Sequence, residues 1–233
     1  MIKKTITIIL VSLLVILPLT SPRERFFRVK DDKTEPVLPD NFEKVYNTFY
    51  SYNQNIDTST VVTFCNVSLA YGLSDDEVEF EWLMAQILLE SGARQYKLDE
   101  CNNKILLTSN TGAVGFSQIL RSTCLAYIRK TLTAEDSIIF NNVGVTDYSF
   151  AFNDTCSKCD SWALARNWLG NETNNIAMWG KIMSMELEVR GIHQALVSYN
   201  IGPDAMIRYV DSGNSLFNHD YIIGIQERFK YIK

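Results

Sequence analysis

The segment from Ser74 to Gly92 constrains the fold more than any other part of the chain. Phe80, Leu83, Met84, Ile87 and Leu88 recur at the spacing of one helical face. Ser74 with Glu77 fits a capping box ahead of that stripe, Asp75 and Asp76 suit the positive end of a helix dipole, and Gly92 is a natural stop. A helix with such a face needs other elements to cover it. Alternation of Val, Ile and Thr is scarce, so no sheet of any size is expected and the cover is helical.

Further helices are predicted on the same grounds. Phe42, Val45, Tyr46, Phe49 and Tyr50 share one face of a helix over 41–54, and another covers 59–71 and ends at Gly72. Residues 94–121 read as a long loop leading into a helix near 115–130, and residues 141–161, rich in Asn, Asp and Ser, as irregular. Ile176, Met178, Trp179 and Met183 mark the core side of a helix over 174–190, and a last one runs from near His193 to Asn200. The expected class is mostly α.

The N-terminus is different in kind. Lys3 and Lys4 precede an uncharged run from Ile6 to Leu19, the pattern of a signal peptide; a full membrane span needs about 20 apolar residues, so the run is marginal as an anchor. No cysteine directly follows it, which argues against a lipoprotein. The expected organisation is a signal peptide or membrane anchor over 1–22, its apolar part at 5–20, then a linker and N-terminal helix over 23–56, and the main domain over 57–233. Export is expected, to the periplasm or the outer side of the cytoplasmic membrane. The formal net charge of −5 argues against a nucleic-acid partner, which needs clustered Lys and Arg.

Cys65, Cys101, Cys124, Cys156 and Cys159 are odd in number, so at least one is free or intermolecular. Cys156 and Cys159 form a CxxC without a second such pair, which speaks against zinc and for a local disulfide or plain thiols. No metal or cofactor is expected. His193 and His219 have no partner motif for nucleophilic catalysis, and Trp82 and Trp179 read as core.

Glu90 stands out physically. It follows Ile87 by one helical turn, beside the apolar stripe, and lies in the last turn of its helix. Lost hydration and the negative end of the dipole both favour a protonated carboxyl. Such a group can protonate a leaving oxygen, as the acid of a glycosidase does.

Three segments then carry a resemblance. Glu90-Ser91 is followed by Gly112-Ala113-Val114-Gly115-Phe116-Ser117-Gln118, and then by Ala195-Leu196-Val197-Ser198-Tyr199-Asn200-Ile201-Gly202-Pro203. In this order and spacing they resemble the signatures of the lytic transglycosylase (goose-lysozyme-like) superfamily: a Glu-Ser at a helix end, a Gly-Ala-x-Gly-Leu-Met-Gln-like turn and an Ala-Tyr-Asn-x-Gly-like helix end. Asn175-Ile176 with Gly180, and the late Tyr221, are similar to lesser features of that family. Phe116-Ser117 departs from the usual Leu-Met, and Ser198 from the usual Ala.

The resemblance implies a lysozyme-like catalytic domain of packed helices with long loops around a substrate cleft. It implies cleavage of the β-1,4 bond between N-acetylmuramic acid and N-acetylglucosamine of peptidoglycan strands, leaving a 1,6-anhydro end. It assigns Glu90 as acid and then base, and Ser91, Gln118, Tyr199, Asn200 and Tyr221 as substrate-site residues, with Tyr221 able to hydrogen-bond Glu90. Gly112 and Gly115 read as backbone-permissive positions. Two alternatives stay open: a hydrolytic lysozyme, or a non-catalytic wall-binding protein. The first needs a second carboxylate, for which Asp99 and Glu100 are the only acids in the stretch after Glu90.

Overall fold

In a computed structural model of the protein the helices are set by the faces they bury and, at several ends, by a local cap or a left-handed glycine. The structure describes residues 38–149 and 158–232. The signal or anchor expected over 1–22, and Cys156 of the CxxC, lie outside those residues. Helix α1 (Phe42–Tyr52) buries Val45 and Phe49 completely. It therefore packs into the same core as α2 (Thr58–Ala70), and both belong to one compact unit, Lys33–Lys233. Asp57 caps α2 by accepting from the Ser59 amide, and the chain leaves through Gly72 at φ +67°.

Helix α3 (Glu77–Ser91) is the centre of the domain. Leu83, Met84, Ile87 and Leu88 are fully buried and Phe80 nearly so. Each contributes roughly 1.5–3 kcal/mol by leaving water. Its cap differs from the expected Ser74–Glu77 box. Asp76 accepts from the Glu79 amide at 2.9 Å, so the helix starts later, with Glu77 and Glu79 in its first turn. Gly92 ends it in the left-handed conformation, as expected. A Cβ there would also meet the Tyr52 ring at 2.7 Å.

Two expectations fail between α3 and the next long helix. The stretch read as loop holds a small antiparallel hairpin, β1 (Tyr96–Leu98) with β2 (Lys104–Leu106), Lys97 opposite Ile105. Most of its side chains are exposed, so no buried alternation marked it in the sequence. After α4 (Arg121–Thr131) comes α5 (Ala134–Val143), which overlaps the start of the segment read as irregular. Thr133 and Asp136 form its capping box. Asp136 also holds Lys181 at 2.7 Å in a buried ion pair and accepts from the Tyr71 hydroxyl. Gly144, at φ +82°, closes α5.

The remaining elements are α6 (Lys158–Leu169), α7 (Glu172–Val189), α8 (Ile192–Ile201), α9 (Pro203–Asp211) and α10 (Asp220–Gln226). The fold is mostly α. Helix α7 is the central strut, its buried face running from Asn174 to Glu186 against α2, α5, α6 and α8. Gly180 lets it approach α2, since a Cβ there would stand 2.4 Å from Val67. Trp179 is buried and stacks on Phe64, while Trp82 packs edge-on to His193 and Phe229. Cys65, Cys101 and Cys124 are free thiols; burial pushes Cys65 and Cys124 up to about 12. Among the described residues, no helix is long and apolar enough to cross a membrane.

Candidate active site

Glu90 reaches a cleft of about 610 Å³ from the last turn of α3. One side of α4 forms a wall with Ser122, Thr123, Ala126 and Tyr127. The end of α8 and the start of α9, from Ser198 to Pro203, also line the cleft, as do Ile182 and Glu186 of α7. Burial raises the Glu90 carboxyl from 4.5 to about 7, and a hydrogen bond from Tyr221 opposes part of that rise. Desolvation wins because one donor cannot replace the water a carboxylate loses.

The donor is itself oriented. Trp179 donates its indole N–H to Gln86 Oε1 at 3.1 Å. That turns Gln86 Nε2 toward the Tyr221 oxygen, 3.3 Å away. With a donor already on its oxygen, Tyr221 directs its own O–H at Glu90 Oε1. Burial, then the charge of Glu90, pushes the Tyr221 phenol well above its ordinary range, so it stays a donor. Neither Trp179 nor Gln86 carries a polar signature in the sequence; both sit on core faces.

The turn over 112–118 is built by glycine and two buried amides. Gly112 and Gly115 take φ of +87° and +75°, and Gln118 takes +52°. Gln95 accepts from the Phe116 amide at 2.7 Å and donates to the Leu169 and Gly170 carbonyls. Asn175 accepts from the Ser117 amide at 2.8 Å and donates to the Val114 carbonyl. The Ser117 hydroxyl also donates to Asn175 Oδ1. This network replaces a hydrophobic floor, and it accounts for the polar Ser117 beside buried Phe116.

The sequence-predicted residues divide accordingly. Glu90, Gln118, Tyr199 and Asn200 meet in the cleft. Gln118 bends its amide onto the Gly115 carbonyl at 2.8 Å. Tyr199 donates its hydroxyl to the Ser117 carbonyl at 2.6 Å, which ties α8 to the turn and leaves its ring as cleft wall. Burial and the nearby Glu90 charge raise its phenol well above the usual range. Asn200 is exposed on the wall.

Ser91 and Tyr221 do not line the cleft. Ser91 donates its hydroxyl to the Phe116 carbonyl and accepts from the Arg94 amide, so it joins α3 to the turn. Tyr221 stands behind Glu90. His193 packs on Phe217 and Trp82, and His219 accepts from the Tyr221 amide at the start of α10. Neither histidine lines the cleft.

One acid was not foreseen. Glu186, only 6% exposed, lines the same cleft as Glu90. Asp99 instead folds into the hairpin turn, accepting from the Cys101 and Asn103 amides, and Glu100 lies in that exposed turn. Among the described residues, no Lys, Arg or His lines the cleft.

Comparison of the chain with family models, curated proteins and solved structures finds no match. The site's chemistry therefore rests on its own geometry. It offers one carboxyl poised near neutrality, a phenol aimed at it, and a wall of hydroxyls, amides and apolar side chains in which Glu186, paired with Arg190, is the second carboxyl.

Proposed function

We propose that the protein is a peptidoglycan lytic transglycosylase with a lysozyme-like helical domain, and that Glu90 is its acid and then its base. The observation that carries this reading is the cleft-lining Glu90 carboxyl, raised to about 7. At neutral pH a substantial fraction is protonated and able to donate, and the conjugate carboxylate is basic enough to accept.

The substrate class follows from the wall. A lining without cationic side chains among the described residues suits an uncharged sugar backbone rather than a phosphate-rich chain. Ile119, Leu120 and Ile201 offer apolar patches for sugar faces, and Thr111, Ser122 and Asn200 offer hydrogen bonds to hydroxyl and acetamido groups.

The reaction uses that one carboxyl twice. Glu90 gives its proton to the glycosidic oxygen as the bond from the muramic acid C1 breaks. The carboxylate so formed takes the proton of the same sugar's C6 hydroxyl, whose oxygen bonds to C1. No water is consumed and Glu90 ends protonated. The internal hydroxyl outruns water because it is carried on the same sugar as C1, which gives it a very high effective concentration. Tyr221 steadies the transient carboxylate through its hydrogen bond.

A second reading, hydrolysis, is favoured by one observation: Glu186 in the same cleft could supply the second carboxylate of a lysozyme. Mass spectrometry of the muropeptides released from purified peptidoglycan distinguishes them. Anhydro-muropeptides are expected; reducing ends as the main product would establish hydrolysis. Absence of any product would leave a wall-binding protein. The reading also requires action outside the cytoplasmic membrane, where the polymer lies, consistent with Lys3-Lys4 ahead of Ile6–Leu19. A periplasm-dependent reporter fused after Lys233 should be active, and a cytoplasm-dependent one silent.

A further inference from the structure

Glu186 is a buried carboxylate in a cleft where the acid chemistry is already assigned to Glu90. Such a group is expensive to bury unless it is paired and hydrogen-bonded. It is held on both oxygens. Arg190, one turn later at the end of α7, donates to Oε2 at 2.6 Å, and the Tyr127 hydroxyl donates to Oε1 at 3.3 Å.

It shares the cleft with Glu90. Ser122 and Tyr127 both line that cleft from α4, about 7.5 Å apart along the helix axis at 1.5 Å per residue, so the wall extends beyond a single side chain. Tyr199 lines the same cleft, as does Tyr127, the residue bonded to Glu186. Further polar capacity is unspent nearby. Among the described residues, the buried Ser198 hydroxyl has no hydrogen-bond partner, and Ser198 lines this cleft.

We propose that Glu186, fixed by Arg190 and Tyr127, is a specificity-determining binding residue that accepts hydrogen bonds from a sugar unit neighbouring the one on which Glu90 acts. Arg190 balances its charge, so the station favours neutral donors, hydroxyl and amide N–H groups, over an ammonium group. The proposal rests on the reading of the cleft as a glycan site, and it excludes Glu186 as the base that activates water.

The test is calorimetric titration of the full chain with N-acetylglucosamine tetrasaccharide, in the Glu90→Gln background so that the probe survives. Glu90→Gln must bind the probe; if it does not, the glycan reading itself falls, before Glu186 is touched. Adding Glu186→Gln keeps the shape and one acceptor but removes the charge, and should weaken binding about 10-fold, the low end for a charge-assisted hydrogen bond. In otherwise wild-type protein, Glu186→Gln should raise KM by a similar factor while kcat and the anhydro product persist. Unchanged affinity overturns the proposal. So does a fall in kcat of orders of magnitude with binding intact, which would make Glu186 a catalytic carboxylate. Should Glu186→Gln melt early, Tyr127→Phe carries the same test: weaker binding supports the station, and unchanged binding refutes it.

Discussion

Replacing Gly115 by alanine should destabilise this protein far more than a single methyl group suggests. A Cβ at Gly115 would lie 2.4 Å from Gln95 Oε1 and 2.8 Å from Asn175 Nδ2. Neither amide can step aside. Gln95 is 2% exposed and Asn175 fully buried, and both are bonded at each end to backbone groups of the turn and of the α6–α7 junction. Displacing either leaves buried donors or acceptors unpaired, at about 1–3 kcal/mol each. The φ of +75° adds roughly 1–2 kcal/mol for an L-residue. The total is about 4 kcal/mol, a large share of the 5–15 kcal/mol typical of a whole domain. At about 2–4 °C per kcal/mol for a domain of this size, the melting temperature should fall by roughly 10 °C. Gly112→Ala is the internal control. Its φ is +87°, but the added Cβ meets only the end of the flexible Arg121 side chain at 3.3 Å, so its cost should stay near the backbone strain alone. Thermal unfolding followed by circular dichroism measures both. If Gly115→Ala melts no lower than Gly112→Ala, the amide network does not hold the turn as described.

Glu90→Gln should lower wall-clearing activity by about 10²–10⁴ while the fold persists, and clearing above about a tenth of the wild-type rate would refute the assignment. The same variant should change stability with a defined sign. Because burial raises the folded-state pKa from 4.5 to about 7, the contribution of Glu90 is fully present below 4.5 and is lost as pH rises through 7. That amounts to about 3 kcal/mol at most, and melting curves of Glu90→Gln across this range should lack the slope. Tyr221→Phe removes the donor that favours the charged Glu90, so the fall in kcat/KM on the alkaline side should move to higher pH; a shift to lower pH would contradict the geometry. Ser91→Ala should cost about 1–2 kcal/mol through the lost bond to Phe116 and leave KM unchanged, whereas a raised KM would show that Ser91 touches the sugar.

The parts legible in the sequence were those where one side of an element is apolar and the other is not. Helices α1, α2, α3, α7 and α8 fall close to where periodicity put them, and the residues predicted to form the α3 stripe are buried. The hairpin escaped notice because its strands are short and largely exposed, so no alternation marked it. Helix α5 was missed although Thr133 and Asp136 carried a capping signature, because its sequence runs into the polar stretch after Val143. At the site, the environment of Glu90 could be read from its place at a helix end. The rest depended on contacts far apart in the chain. Ser91 and Tyr199 spend their hydroxyls on the 112–118 turn, and Tyr221 reaches Glu90 across 131 positions. Glu186 carries no local signal in the sequence, since only the packing of α7 against α8 and the arrangement of α4 bring it to the cleft.

The central claim is that one carboxyl, Glu90, cuts a glycan without water, and the fate of water's oxygen tests it most directly. Purified peptidoglycan digested in water enriched in oxygen-18 should yield anhydro-muropeptides, each lighter by one water than its hydrolytic counterpart and free of label. Heavy oxygen in the reducing ends of the main products would contradict the account: a water-derived nucleophile would then be at work, and Glu186 would be the first residue to substitute.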